Sequence, residues 1–156
     1  MIKRGDSVPS QKLITDKGET ISLTDDLGKF VILYFYPRDN TPGCTSQACS
    51  FRDSYDQFKR LDATIIGVSP DSIESHQSFI DQHDLPFTLV VDADQQLAKS
   101  FGATKLKEKQ GKTYQGIQRS TFIIDGKGIV QKVFADVQVI GHTDEVLQAI
   151  NEIKGE

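Results

Sequence analysis

Two cysteines, Cys44 and Cys49, are the only thiols in the 156-residue chain, and both lie in the stretch Pro37-Arg38-Asp39-Asn40-Thr41-Pro42-Gly43-Cys44-Thr45-Ser46-Gln47-Ala48-Cys49. Thr41-Pro42 has the form of a helix opening, with a hydroxyl residue at the N-cap and Pro at the first helical position. Cys44 is therefore expected in the first helical turn, where backbone N–H groups without intrahelical partners and the positive end of the macrodipole favour a thiolate. A sulfur so placed is a nucleophile, and the chemistries open to it are attack on a disulfide, a carbonyl or a peroxide, or metal binding.

The spacing narrows these. On a regular helix, five residues correspond to about 140° of rotation and roughly 7.5 Å of rise, which puts the two Cα atoms about 8.7 Å apart, beyond the roughly 7 Å limit for a disulfide. Ala48, Phe51, Tyr55 and Phe58 follow Cys44 at helical steps, so Cys44 is expected to look inward and Cys49 to look to the flank. Cys44 would react in the folded helix, and the helix would have to melt locally before Cys49 could reach it. A disulfide oxidoreductase of the two-residue-spacer kind is disfavoured. A cysteine hydrolase needs a His base, but His76 and His83 read as core-edge residues and His142 as the start of the last helix. Zinc would need two further ligands, so no metal and no cofactor is expected.

Peroxide reduction asks for a thiolate, hydrogen-bond donors, a cation and a second thiol. The Gly43 and Cys44 amides and the Thr41 hydroxyl are candidate donors. Arg119, at the mouth of the strand Ser120 to Ile124, is the best candidate cation, with Arg38 and Arg52 as competitors.

The elements that must position these groups follow from hydrophobic periodicity. Residues 11 to 23 read as a small hairpin, a lid or an edge outside the core. Phe30 to Tyr36 and Ala63 to Val68 are continuous apolar strands separated by the cysteine helix, which is expected to run to about Arg60. That order implies a parallel pair with a right-handed crossover. A helix capped by Asp71 or Ser72 follows, then a strand over Leu85 to Val91 and a short helix Gln95 to Phe101 ended by Gly102. Residues 103 to 116 read as irregular. Ser120 to Ile124 and Ile129 to Phe134 form a hairpin, and a helix from about Thr143 to Ile153 closes the chain. A parallel βαβ unit followed by an antiparallel ββα unit, with helices on both faces of one central mixed sheet and an N-terminal hairpin, is the α/β arrangement of the thioredoxin-like fold. It is expected as one domain over 1–156.

Composition bounds the rest. The net charge of −4 gives no reason to expect nucleic acid or an acidic membrane surface as partner. Lysines concentrate between Lys105 and Lys112, and the plain reading is a solvated loop, with a docking patch as the alternative. No apolar run is long enough to span a bilayer, and a cytoplasmic chain is expected. Two cysteines in a reducing compartment point to redox or nucleophilic chemistry, not to a permanent staple.

Pro37-x-x-x-Thr41-x-x-Cys44 resembles the active-site motif of the peroxiredoxins. The longer run Tyr34-Phe35-Tyr36-Pro37, Thr41-Pro42-Gly43-Cys44-Thr45, Ala48-Cys49 and Phe51-Arg52-Asp53, with Gly116-Ile117-Gln118-Arg119-Ser120-Thr121-Phe122-Ile123-Ile124-Asp125, resembles the Q-type subfamily, also called bacterioferritin comigratory protein. The resemblance implies a peroxidatic Cys44 and a resolving Cys49 that form an intramolecular disulfide. It further implies that Pro37 shields the site, that Thr41 and Arg119 hold thiolate and peroxide, and that thioredoxin or a similar dithiol protein recycles a commonly monomeric enzyme. Ala103-Thr104-Lys105-Leu106 departs from the aromatic residue that relatives often carry after the Phe-Gly pair, at the expected pocket rim. Two other classes remain: a general thiol–disulfide oxidoreductase, and a non-enzymatic holdase or scaffold on the same fold, which would tolerate loss of Cys44 and Arg119.

Overall fold

The computed structural model describes residues 1–23 and 30–155. The strands are β1 (Lys12–Thr15), β2 (Thr20–Ser22), β3 (Phe30–Phe35), β4 (Ala63–Ser69), β5 (Thr88–Val91), β6 (Thr104–Lys109), β7 (Lys112–Ile117), β8 (Ser120–Ile124) and β9 (Val130–Phe134). The helices are α1 (Pro42–Asp53), α2 (Tyr55–Arg60), α3 (Ile73–His83), α4 (Gln96–Phe101) and α5 (His142–Lys154).

Seven strands form one mixed sheet in the order β2-β1-β5-β4-β3-β8-β9, while β6 and β7 make a separate two-stranded sheet. β3 runs parallel to β4, and β4 to β5; β8 lies antiparallel against the other side of β3, with Phe35 opposite Ser120. The thioredoxin-like arrangement of a central mixed sheet with helices is thus present.

β3 is apolar at every position because both its faces are covered. Ile32, Tyr34 and Tyr36 point into a cluster with Phe51, Phe58, Phe79, Val146 and Ile150 from α1, α2, α3 and α5. Val31, Leu33 and Phe35 point into a second cluster with Leu97 and Phe101 of α4 and with Phe122 and Val130. Alternation along one strand therefore serves two cores at once. Gly67 in β4 has a local reason: a Cβ there would stand 2.8 Å from Leu89 Cδ2 and 2.9 Å from Tyr34 Cζ, so the Tyr34 ring lies across the sheet only because position 67 has no side chain.

Four expectations are corrected. The cysteine helix does not run unbroken to Arg60. It ends at Asp53, and Ser54, with φ −104° and ψ 8°, separates it from α2. The Ser54 amide is shared between the Ser50 and Phe51 carbonyls, a tightened last turn at two residues, Asp53 and Ser54, that favour helix ends over helix interiors. Phe51 and Phe58 remain buried on either side of the break, so the apolar stripe survives it. The strand expected from Leu85 begins at Thr88, because Pro86 has no N–H for a ladder. The 11–23 hairpin does form the sheet's edge, yet Leu13 and Leu23 are buried in the second cluster, so it also belongs to the core. The span 103–116, expected to be irregular, is mostly the β6–β7 hairpin, turning at Gln110-Gly111 where both residues have positive φ.

Candidate active site

β3 ends at Phe35, and the loop from Tyr36 to Thr41 carries the chain into α1. Thr41 is the N-cap, with φ −82° and ψ 154°, and Pro42 opens the helix as expected. The Thr41 hydroxyl does not cap, however: it donates to the Arg38 carbonyl at 3.2 Å, closing the loop on itself. The first α1 bond on this turn runs from the Thr45 amide to the Thr41 carbonyl at 2.8 Å, which leaves the Gly43 and Cys44 amides at the helix opening without intrahelical acceptors.

Cys44 and Cys49 are both free thiols within unbroken α1, Cys44 buried and Cys49 half-buried, the inward and flanking placements expected from their spacing. Arg119, one residue before β8, reaches across to Cys44. Its Nη2 donates to Cys44 Sγ at 3.2 Å, and its Nη1 donates to Gln47 Oε1. The guanidinium also passes close over Gly43, where an added Cβ would sit 3.5 Å from Nη2. The pairing of β8 with β3 is what brings a residue 75 positions away to the sulfur. The competing cations lie elsewhere: Arg52 is bound to Asp53 and, at 2.7 Å, to the His83 carbonyl, and Arg38 is on the wall of the neighbouring cleft.

Gln47 is a residue that pattern reading missed. It stands three positions after Cys44, so it shares the sulfur's face of α1, and it is buried at 1% exposure. A buried amide in an otherwise apolar stripe was the available signal. Its Oε1 fixes the guanidinium, and its Nε2 has no hydrogen-bond partner among the described residues.

A second set of missed residues holds the loop. Asp39, 5% exposed, accepts from the Tyr36 hydroxyl at 2.5 Å and the Ser75 hydroxyl at 2.8 Å, and its Oδ2 lies 2.8 Å from His76 Nδ1. The Asp39 amide donates to Asp71 Oδ2 at 2.8 Å, and Asp71 accepts in turn from the Ser69 hydroxyl. His76 Nε2 faces the Val90 carbonyl at 2.9 Å, and a carbonyl can only accept, so that nitrogen carries hydrogen. Burial of the ring opposes its charge, but the Asp39 carboxylate and the Val90 carbonyl outweigh it and hold the imidazole above its ordinary 6.5. His76 is thus a fully buried imidazole 2.8 Å from the Asp39 carboxylate, not a residue at the core's edge. Asp39, Asp71 and His76 offer three ligand atoms within 4.8 Å of one another, but hydrogen bonds already occupy this donor set. His142 does begin α5, buried, with Nε2 2.8 Å from the Thr121 hydroxyl; burial holds its pKa below 6.5 despite the Glu145 carboxylate.

Beside the loop opens a cleft of about 430 Å³. Pro37, Arg38 and Thr41 form one wall, Pro70 and Asp71 another, and Lys107, Tyr114, Gly116 and Ile117 of the β6–β7 hairpin a third. Lys107 lies flat over Gly116, where a Cβ would meet its Cδ at 2.5 Å, and this directs the ammonium along the hairpin to the cleft. Burial, together with Lys105 and Arg119, holds that ammonium below its usual range. The arrangement supplies a thiol, a fixed guanidinium, two free amides at a helix opening and a second thiol five residues on. These are the components for nucleophilic attack on an oxygen or sulfur whose leaving group develops negative charge.

Residues 4–133 match the AhpC/TSA family. The chain is similar to the protein named peroxiredoxin Bcp of Bacillus subtilis, at 50% identity over 152 residues that cover 97% of each chain. It is also similar to peroxiredoxin Bcp of Escherichia coli, at 41% identity over 97% of each. Among solved structures it resembles the bacterioferritin comigratory protein of Xanthomonas campestris, determined for insights into its alkyl peroxide reduction activity. The TM-score is 0.88 at 35% identity, with 94% of this chain and 98% of that one covered.

Proposed function

This chain belongs to the AhpC/TSA family, and on that premise we propose that it is a thiol peroxidase that reduces hydrogen peroxide and organic hydroperoxides. The observation that carries the reading is the 3.2 Å contact from Arg119 Nη2 to Cys44 Sγ at the opening of α1.

Cys44, as thiolate, attacks one peroxide oxygen; the S–O bond forms as the O–O bond breaks, and the departing oxygen leaves as alcohol or water once it takes up a proton. Arg119 and the Gly43 and Cys44 amides stabilise the charge moving onto that oxygen, as preorganised donors do at an oxyanion. Thr41 exchanges its bond to the Arg38 carbonyl for one to the substrate, and Pro37 shields the sulfur on the cleft side. The product is a Cys44 sulfenic acid.

Cys49 resolves it. Its sulfur attacks the sulfenic sulfur, water leaves, and an intramolecular disulfide forms. Because a regular helix keeps positions 44 and 49 too far apart for that bond, the early turns of α1 must unwind between the two steps. The break at Ser54 limits the change to α1, since α2 begins its own hydrogen bonds at the Ser54 carbonyl, which accepts from the Gln57 and Phe58 amides. A dithiol protein of the thioredoxin kind then reduces the disulfide by exchange. The enzyme acts as a monomer in the reducing cytoplasm and needs no bound cofactor.

The test is stoichiometry with thioredoxin as sole reductant. Cys44→Ser removes turnover, while Cys49→Ser consumes about one peroxide per chain and then stalls as the sulfenic acid. Equal activity of the two variants would refute these roles.

A further inference from the structure

The lysines of the β6–β7 hairpin are not scattered over a solvated loop. The register pairs Lys105 with Gly116, Lys107 with Tyr114 and Lys109 with Lys112. Directly opposed residues of an antiparallel pair share a face, and alternate pairs share the same face. Lys105, Lys107, Lys109, Lys112 and Tyr114 therefore all stand on one face of the hairpin, with Gly116 at its inner end. The other face carries Thr104, Leu106, Glu108, Thr113, Gln115 and Ile117. Four lysines against one glutamate give this hairpin a surplus of positive charge on a chain whose net charge is −4.

Like charges gathered on one face of a strand pair are unfavourable, and no acidic side chain answers them there. Lys105, Lys109 and Lys112 are exposed, and no salt bridge among the described residues includes them. Stability does not explain the arrangement, but position does: Lys107, Tyr114 and Gly116 of that face, with Gln115 and Ile117 of the other, line the cleft beside the Cys44 loop. Each six-residue strand spans about 20 Å, so the charge extends well outward from the cleft. Hydrogen peroxide is uncharged and small and has no use for a face of that length. A protein that brings its own thiol to a disulfide containing Cys44 has to approach the Cys44 loop, whose Pro37, Arg38 and Thr41 border the cleft.

We infer that the lysine face of the β6–β7 hairpin is the docking surface for the dithiol reductant, whose surface around its reactive thiols is acidic. The inference rests on the peroxidase reading and adds the partner's chemistry to it. In the docked complex a partner thiolate attacks one sulfur of the Cys44–Cys49 disulfide and displaces the other as thiolate. The partner's second thiol then attacks the mixed disulfide, so two electrons pass from partner to enzyme and the partner leaves oxidised. The exposed aromatic ring of Tyr114 offers an apolar contact among the charges.

The experiment compares the full-length protein with a Lys105→Glu/Lys109→Glu/Lys112→Glu variant and a milder triple change to Gln, leaving Lys107 in place. Three rates are measured: oxidation of Cys44 by hydrogen peroxide, reduction of the disulfide by dithiothreitol, and reduction by an acidic bacterial thioredoxin over a range of salt concentrations. Expected are the first two rates within about twofold of wild type. The thioredoxin step slows about tenfold or more in the Glu variant and less in the Gln variant, and its fall with rising salt, present in wild type, is abolished or reversed. Unchanged thioredoxin kinetics and salt dependence would overturn the inference. So would an equal loss with dithiothreitol, or a loss seen only in oxidation by carboxylate-bearing hydroperoxides, which would assign the face to substrate. If the wild-type protein formed no disulfide with hydrogen peroxide, the peroxidase reading itself would fall first.

Discussion

Arg119 Nη2 stands 3.2 Å from Cys44 Sγ, held there by a second hydrogen bond from Nη1 to Gln47 and by the pairing of β8 with β3. The cation is thus placed by the fold before any substrate arrives, which is the condition under which a charged donor lowers a barrier most.

Arg119→Gln is expected to slow oxidation of Cys44 by about 10² to 10³, the usual cost of removing a preorganised donor to developing negative charge. Stopped-flow oxidation kinetics check this. A variant within a few-fold of wild type would remove Arg119 from the reaction.

Gln47→Leu separates positioning from stability. The Gln47 amide nitrogen has no partner among the described residues, so an apolar replacement removes one buried unsatisfied donor while releasing Arg119. Urea unfolding is expected to change by no more than about 1 kcal/mol. Cys44 oxidation slows about tenfold as the guanidinium loses its fixed direction.

The two buried histidines are shifted in opposite directions. His76, raised above 6.5 by Asp39, contributes stability that is fully present below 6.5 and is lost as pH rises through its folded value. His142, held below 6.5 chiefly by burial, contributes stability that is present above 6.5 and is lost as pH falls towards its folded value. Titrating the imidazole resonances of the native protein by NMR should give a midpoint above 6.5 for His76 and below it for His142. The reverse order would contradict the raising of His76 by the Asp39 carboxylate.

Gly67→Ala is expected to destabilise the fold by about 1–3 kcal/mol, because the new methyl group must displace the Tyr34 ring or Leu89 from a packed sheet face. Thermal unfolding measures it. A neutral result would show that the ring moves aside at little cost.

The placement of the two cysteines was legible in the sequence because local rules set it, and Arg119 came into view only through the strand order. Thr41-Pro42 marks a helix opening, five-residue spacing separates the sulfurs, and the apolar strand before Pro37 fixes where the loop emerges. What the sequence did not carry depends on contacts between distant elements. Asp39 reads as one polar loop residue among several, and His76 as one helical position among four; only the meeting of the β3–α1 loop with α3 and β5 makes them a buried pair. Gln47 was hidden by its polarity in a stripe read for apolar residues. The lysine-rich span read as irregular because five of the six residues of β6 are polar or charged, with no buried face to impose alternation. Its strands are legible only from the pairing that sets the lysines on one face.

On the proposed reading, Cys44, held against Arg119 at the opening of α1, reacts directly with peroxide. The most direct measurement is the second-order rate constant for oxidation of reduced protein by hydrogen peroxide, followed by stopped flow, with free cysteine under the same conditions as reference. A constant orders of magnitude above free cysteine, absent in Cys44→Ser and retained in Cys49→Ser, is the expected result. A constant equal to that of free cysteine would contradict it.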